Sequence, residues 1–177
     1  MRFKFLVVVV VAFAAFCFAL ASGTVTTFKT GPFNVSVDLG MPCDDININK
    51  PVHGEWSDGT RYTDYTTKVC GDLIILTRTE NAYYDLSGKF STDTVTSDLI
   101  DLGADEDTIS VYQRKIDGLP GAVGSGYMPE YGVTIYEASY YVSHKAAGHV
   151  VIMNNQTKML SAIKTIHVTE AENGDNS

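Results

Sequence analysis

Asp72-Leu73-Ile74-Ile75-Leu76-Thr77-Arg78-Thr79 is the stretch on which the fold turns. In an extended chain successive side chains point to opposite faces, so a half-buried strand alternates apolar with polar. Leu73-Ile74-Ile75-Leu76 has no polar face. That is the pattern of a central strand covered on both sides, and it requires a layer above the sheet as well as below it. Upstream, Arg61–Cys70 reads as the neighbouring strand, and Met41–Gly59 as a polar loop pinned by Cys43. Further upstream, Phe33, Val35, Val37 and Leu39 alternate with Asn34, Ser36 and Asp38, which predicts a strand over Phe33–Leu39. Gly31-Pro32 marks the turn that joins it to a first strand, Thr24–Phe28.

The covering layers are sought downstream. Ser91 is placed to cap a helix, with Asp93 in the first turn and Phe90 and Val95 at staple positions. Val95, Leu99 and Leu102 recur at helical spacing, and Gly103 supplies a stop. A second helix is predicted from Asn155 to about His167 on the stripe Met159, Leu160, Ile163, Ile166. Between them Thr108–Ile116, Tyr131–Val142 and His149–Met153 read as strands. Two helices flanking a mostly antiparallel central sheet define the expected fold class, an α+β protein arranged as an α/β/α sandwich.

The order of these elements carries a resemblance. Ile116-Asp117-Gly118-Leu119-Pro120-Gly121-Ala122 is followed by a tyrosine-rich strand and by Met159-Leu160-Ser161-Ala162-Ile163-Lys164-Thr165-Ile166-His167-Val168. In these two motifs the chain resembles the PsbP-like fold, named for an extrinsic subunit of photosystem II. It also resembles small exported archaeal proteins without an assigned activity. The resemblance implies a non-enzymatic domain that docks on a larger surface complex or binds a small ligand. It transfers no catalytic residue, and the Cys43 and Cys70 pair and the Asp44–Lys50 loop have no counterpart in it.

The two ends read differently from the middle. Met1-Arg2-Phe3-Lys4 is basic, Phe5–Leu20 is unbroken apolar sequence, and Ala19-Leu20-Ala21 supplies small residues before Ser22. These are the parts of a secretory signal peptide over residues 1–21. The alternative is a retained anchor, which would span with roughly 20 residues where this run has 16. Cys17 follows Phe16 rather than a small residue, which argues against lipid attachment. A single globular domain is expected over 22–169, followed by an acidic, disordered tail over 170–177.

Charge narrows the partners. The chain has 13 basic and 21 acidic residues; without Arg2 and Lys4 the balance is 11 against 21, a net −10. Such a surface repels phosphate backbones, so nucleic acid and a bare anionic membrane are poor candidate partners, while cationic ions or a basic protein face stay open, and no anchor is expected after cleavage. Cys43 and Cys70 remain after cleavage and read as one disulfide in an exported chain, with two free thiols in a reducing setting as the alternative. Asn34-Val35-Ser36 and Asn155-Gln156-Thr157 are glycosylation sequons, permissive of surface exposure at Asn34 and Asn155.

No motif commits the chain to catalysis. Asp45, Asn47 and Asn49 fall at the first positions of a calcium loop, but Lys50 and Trp56 stand where glycine and the bidentate glutamate belong. Gly121-Ala122-Val123-Gly124-Ser125-Gly126 has the wrong order for a dinucleotide site and reads as a flexible hairpin or bulge. Ser125 lacks the strand-to-helix elbow of a nucleophile. His53, His144, His149 and His167 share no metal-ligand spacing, and Asp105-Glu106-Asp107 reads as solvated turn acid. No catalytic, metal-ligating or cofactor-binding residue is therefore assigned, and no cofactor is expected. The surface singled out is Tyr127-Met128-Pro129-Glu130-Tyr131, with Tyr62 and Tyr65 as neighbours, since exposed Tyr and Met favour interfaces. The expected function is an exported, cell-surface or secreted binding or accessory domain, with a surface protein complex as partner. A small-ligand or ion carrier is the alternative, and an unrecognised hydrolase the third reading.

Overall fold

Period-two alternation governs the first layer. The computed structural model describes residues 24–144, 146–153 and 156–171; the signal at 1–21 with Cys17, Asn155, and the tail from 172 lie outside them. Strands β1 (Val25–Thr30) and β2 (Phe33–Asp38) form an antiparallel hairpin with Phe33, Val35 and Val37 buried and Asn34 exposed. Gly31 at its turn has φ +56°, and a Cβ there would stand 2.4 Å from the Tyr65 ring, so both backbone and space require glycine.

Everything else builds one large antiparallel sheet with two helices. Its strands are β3 (Ile46–Ile48), β4 (Val52–Glu55), β5 (Arg61–Val69), β6 (Leu73–Glu80), β7 (Ser110–Ile116), β8 (Leu119–Met128), β9 (Val133–Ser143) and β10 (Ala146–Met153). Their order is β3-β5-β6-β10-β9-β8-β7, with β4 also paired to β5. A last strand, β11 (His167–Glu170), returns to β2 and completes a three-stranded sheet β1-β2-β11. Helix α1 (Thr92–Asp101) lies against β7, β8 and β9. Helix α2 (Gln156–Thr165) lies on the opposite face, against β10, β9 and β2.

Two cores follow from this layering. The larger joins Phe33, Val35 and Val37 of the small sheet, Met159 and Ile163 of α2, and Leu73, Ile75 and Tyr140 of the large sheet. The smaller lies under α1, where Val95 and Leu99 meet Phe90, Ala122, Met128 and Ile135. The α1 cap is the one expected: Ser91 Oγ accepts from the Asp93 N–H at 3.2 Å, and Gly103 ends the helix at φ +93°. Three links tie the layers together. Thr67 Oγ1 donates to Thr30 Oγ1 at 3.1 Å between buried faces, and the sulfurs of Cys43 and Cys70 stand at disulfide distance, 2.04 Å. Lys158 of α2 donates to the Cys70 carbonyl at 2.7 Å and pairs with Asp72.

The α/β/α sandwich is overturned. The fold is mostly β, 51% strand against 16% helix, and only two helices occur among the described residues. Opposite α1 the second layer is chiefly the three-stranded sheet, with α2 beside it, so helices do not supply the flanking layers. Three segments account for the error. Met41–Gly59, read as loop, contains β3 and β4; Gly121–Gly126, read as hairpin, lies inside β8; His167–Glu170, read as helix end and tail, is β11. The deciding stretch also differs from its reading. Leu73, Ile75 and Thr77 of β6 are buried, but Ile74 and Leu76 are half-buried because α1 covers only the β7–β9 half of that face.

The glycines of β8 show why that half is covered. A Cβ on Gly124 would come within 2.7 Å of Val95 Cγ1 and 2.9 Å of Leu99 Cδ1, and one on Gly126 within 2.7 Å of Ala104 Cβ. Glycine there paves the strand so that α1 can lie close on it.

Candidate functional site

Asp117-Gly118 is a two-residue turn with both residues at positive φ, +53° and +76°, the geometry that suits a tight hairpin. It closes β7 and β8 with Ile116 opposite Leu119. Asp117 also holds the hairpin to the other sheet: its carboxylate accepts from the Val168 N–H at 3.0 Å and meets His167 Nδ1 at 2.8 Å.

The segment between β6 and α1 crosses towards this hairpin. Tyr84 stacks on Tyr141 with ring centroids 3.9 Å apart, and its N–H donates to the His144 carbonyl at 3.0 Å. Asp85 folds the next turn, its Oδ1 accepting from the Ser87 hydroxyl at 2.6 Å and the Ser87 N–H at 2.9 Å. Those bonds, the side-chain one first, hold its carboxyl below the usual range. At the end of the segment the Phe90 carbonyl accepts from Gln113 Nε2 at 3.1 Å.

Between this pinned segment and the hairpin runs an open groove of about 580 Å³. Leu86, Phe90 and Pro120 give it apolar lining and Lys89 and Lys115 supply cations; Arg114 and Leu119 border it through β7 and β8, but alternation turns their side chains to the opposite face, where Leu119 packs on the larger core. None of the described lining residues is acidic, and the Asp85 carboxylate stands beside it, bonded to the lining Ser87. In a chain of net charge −8, two of the 13 basic residues, Lys89 and Lys115, face one recess. A cationic recess in an acidic surface concentrates anions locally and repels them elsewhere. Its polar groups are ammonium, amide and hydroxyl, which suit holding an anion rather than moving a proton.

Two further polar clusters lie on the α1-facing side of the sheet. Arg78 of β6 makes a bidentate pair with Asp64 of β5 at 2.6 and 2.9 Å and lies 3.9 Å from Glu80. Its guanidinium sits 5.0 Å from the Trp56 ring centroid and 4.7 Å from that of Tyr62. Burial alone would lower the Arg78 pKa, but the hydrogen bond and charge of Asp64 outweigh it and raise it. Burial likewise raises the carboxyl of Glu80 against the lowering effect of Arg78. Closer to the helix, Glu137 of β9 is buried beneath α1, where burial, then the charge and hydrogen bond of Asp98, push its pKa up to about 9.

The residues singled out in the sequence are scattered. Asp45, Asn47 and Asn49 run along β3 and its flanks, and the Asp45 carbonyl takes the Cys70 N–H at 2.9 Å rather than curving around an ion. Ser125 lies inside β8 and Asp105 caps a short 3₁₀ turn, Glu106–Thr108. His53 bonds Thr63, His144 stacks on Tyr83, and His167 meets Asp117; His149 occupies the β10 position between Leu76 and Ser139. Tyr127 and Tyr131 are exposed at the β8–β9 turn, but Met128 is buried in the smaller core. Tyr62 and Tyr65 are not their neighbours. Tyr65 lies in the row Tyr65–Thr77–Gly148–Tyr140–Gly121, at the opposite end of β8 from Tyr127. Cys43 and Cys70 are brought together, and Asn34 is exposed on β2.

The groove was missed because Lys89 lies far in sequence from Lys115. One signal was present: Arg114-Lys115 is the only adjacent basic pair in the chain. Among the described residues no group of three or more His, Cys, Asp or Glu is placed to hold a metal ion, and no helix is long and apolar enough to cross a membrane. Comparison with protein-family models, with curated proteins and with solved structures finds no match.

Proposed function

We propose that the chain is an exported, non-enzymatic binding domain that holds an anionic target in the groove between the Leu86–Phe90 segment and the β7–β8 hairpin. One observation carries the reading: Lys89 and Lys115, from two separate segments, meet at a recess with apolar walls and no acidic residue among its described lining, within an acidic chain. Apolar walls with a few convergent polar groups are the usual make-up of a ligand site. Export is supported by the signal-like residues 1–21, and the pairing of Cys43 with Cys70 is compatible with it, since oxidising compartments favour such pairs.

Decanoate, one carboxylate on an apolar chain, is the probe. In amide-resolved NMR of the mature protein its shifts are expected to cluster at Lys89, Gln113, Arg114 and Lys115, and to vanish in Lys89→Glu. Shifts scattered over both sheets, or unchanged by Lys89→Glu, would sink the reading.

An accessory role, docking on a larger surface complex, is favoured by a different observation. Val25, Ile48 and Val52 are 62%, 51% and 60% exposed along the outer strands β1, β3 and β4. Exposed apolar groups on strand edges are characteristic of contact surfaces.

A further inference from the structure

We infer that the free edge of β7 and the cationic groove beside it together receive an extended acidic segment of a partner protein as an added β-strand. This rests on the groove being the binding site, and it assigns the class of target.

Among the described residues, strand β7 is the last of the large sheet and pairs only with β8. Ile116 and Leu119 close the two-residue turn, so they form a hydrogen-bonded pair. In an antiparallel ladder such pairs alternate with pairs whose backbone groups point away. Ser110, Tyr112, Arg114 and Ile116 therefore direct their N–H and C=O groups to β8, and Val111, Gln113 and Lys115 direct theirs outward. Gln113 and Lys115 both line the groove. The outward-facing backbone and the cations thus open into the same space.

An edge of this kind is a template for another strand. In strand addition the main chain supplies affinity, and the side chains to either side supply selection. Lysine on an edge also serves to keep other strands away. That role needs no recess, whereas here Lys89 is carried to the same groove by a separate, pinned segment, with Leu86 and Pro120 beside it. Neutral strands gain little at such an edge and basic ones are repelled. An acidic strand gains a charge pair on each groove-facing residue, while the acidic remainder of the chain disfavours its binding elsewhere.

The probe is an acetylated, amidated hexapeptide alternating glutamate with valine, titrated into the mature protein by calorimetry. A second peptide has the same side chains and every backbone nitrogen methylated. The expected result is binding that weakens at least about tenfold on methylation and about tenfold in Lys89→Ala/Lys115→Ala. On binding, the Gln113 and Lys115 amides should gain protection from hydrogen exchange while that of Arg114, already paired to β8, changes little. Equal binding of the methylated peptide, or binding without protection at Gln113 and Lys115, overturns strand addition and leaves a site for simple anions. Failure of the hexapeptide with decanoate still bound in the groove overturns the inference and keeps the binding reading. Failure of both removes both.

Discussion

At the scale of single residues, the least expected group is Glu137. Its carboxyl lies beneath α1 with a pKa near 9, set first by burial and then by Asp98. An unfolded glutamate gives up its proton near 4.5, so between about 4.5 and 9 the folded state holds a proton that the unfolded state has lost. This group's contribution to stability therefore falls as pH rises across that window. Glu137→Gln keeps a neutral side chain of the same shape and has no proton to lose. The expected outcome is a Tm close to wild type at pH 5, above it at pH 8, and a flatter pH dependence between. Thermal melts of both proteins across that range decide it; parallel curves would mean that Glu137 ionises as freely folded as unfolded. The arrangement was not legible in the sequence, because Glu137 and Asp98 become neighbours only when α1 closes on β9.

Among the elements, α1 and β8 show how far a local pattern can be trusted. Ser91, Val95, Leu99 and Gly103 announced the helix and its limits, because capping and helical spacing are local properties. The glycines of β8 were misread for the converse reason. Their meaning lies in the helix that packs on them, and a sequence window holds no trace of that neighbour. Gly124→Ala would place a Cβ 2.7 Å from Val95 Cγ1, too close without displacing α1. A loss of about 1–3 kcal/mol is expected, the usual cost of overpacking a filled core. Gly148 is the control, since its Cβ would meet Val142 Cγ1 at 3.4 Å and the Tyr140 ring at 3.6 Å, close to ordinary contact. Urea unfolding should place Gly148→Ala much nearer wild type than Gly124→Ala; equal losses would mean that the space under α1 is not what glycine preserves.

For the whole molecule, the question is what holds two sheets as one body. The Thr67–Thr30 hydrogen bond, the Lys158 contacts and the Cys43–Cys70 link all join the layers that share the larger core. The disulfide joins the segment after β2 to the turn between β5 and β6, closing a sequence separation of 27. Removing it frees the unfolded chain, and the chain-entropy model puts the cost at roughly 3–4 kcal/mol. Cys43→Ser/Cys70→Ser, compared with wild type in urea with and without a thiol reductant, should show that loss. The reductant should act on wild type and not on the variant. An unchanged midpoint in the variant would mean that packing alone holds the sheets together.

What the sequence determined by itself was local or compositional: most strands, both helices, the cap at Ser91, the acidic balance and the cysteine pair. Alternation, capping and spacing are written within a few residues, so they can be read there. The second layer could not be, since β11 and β2 lie far apart along the chain and a three-stranded sheet exists only once they pair. The groove was decided the same way. Lys89 and Lys115 become one site only because the Phe90 carbonyl bonds Gln113 and a two-residue turn at Asp117-Gly118 folds β8 back along β7. Strand pairing and helix packing choose which distant residues meet, and that choice depends on the whole chain's buried surface rather than on any stretch of it.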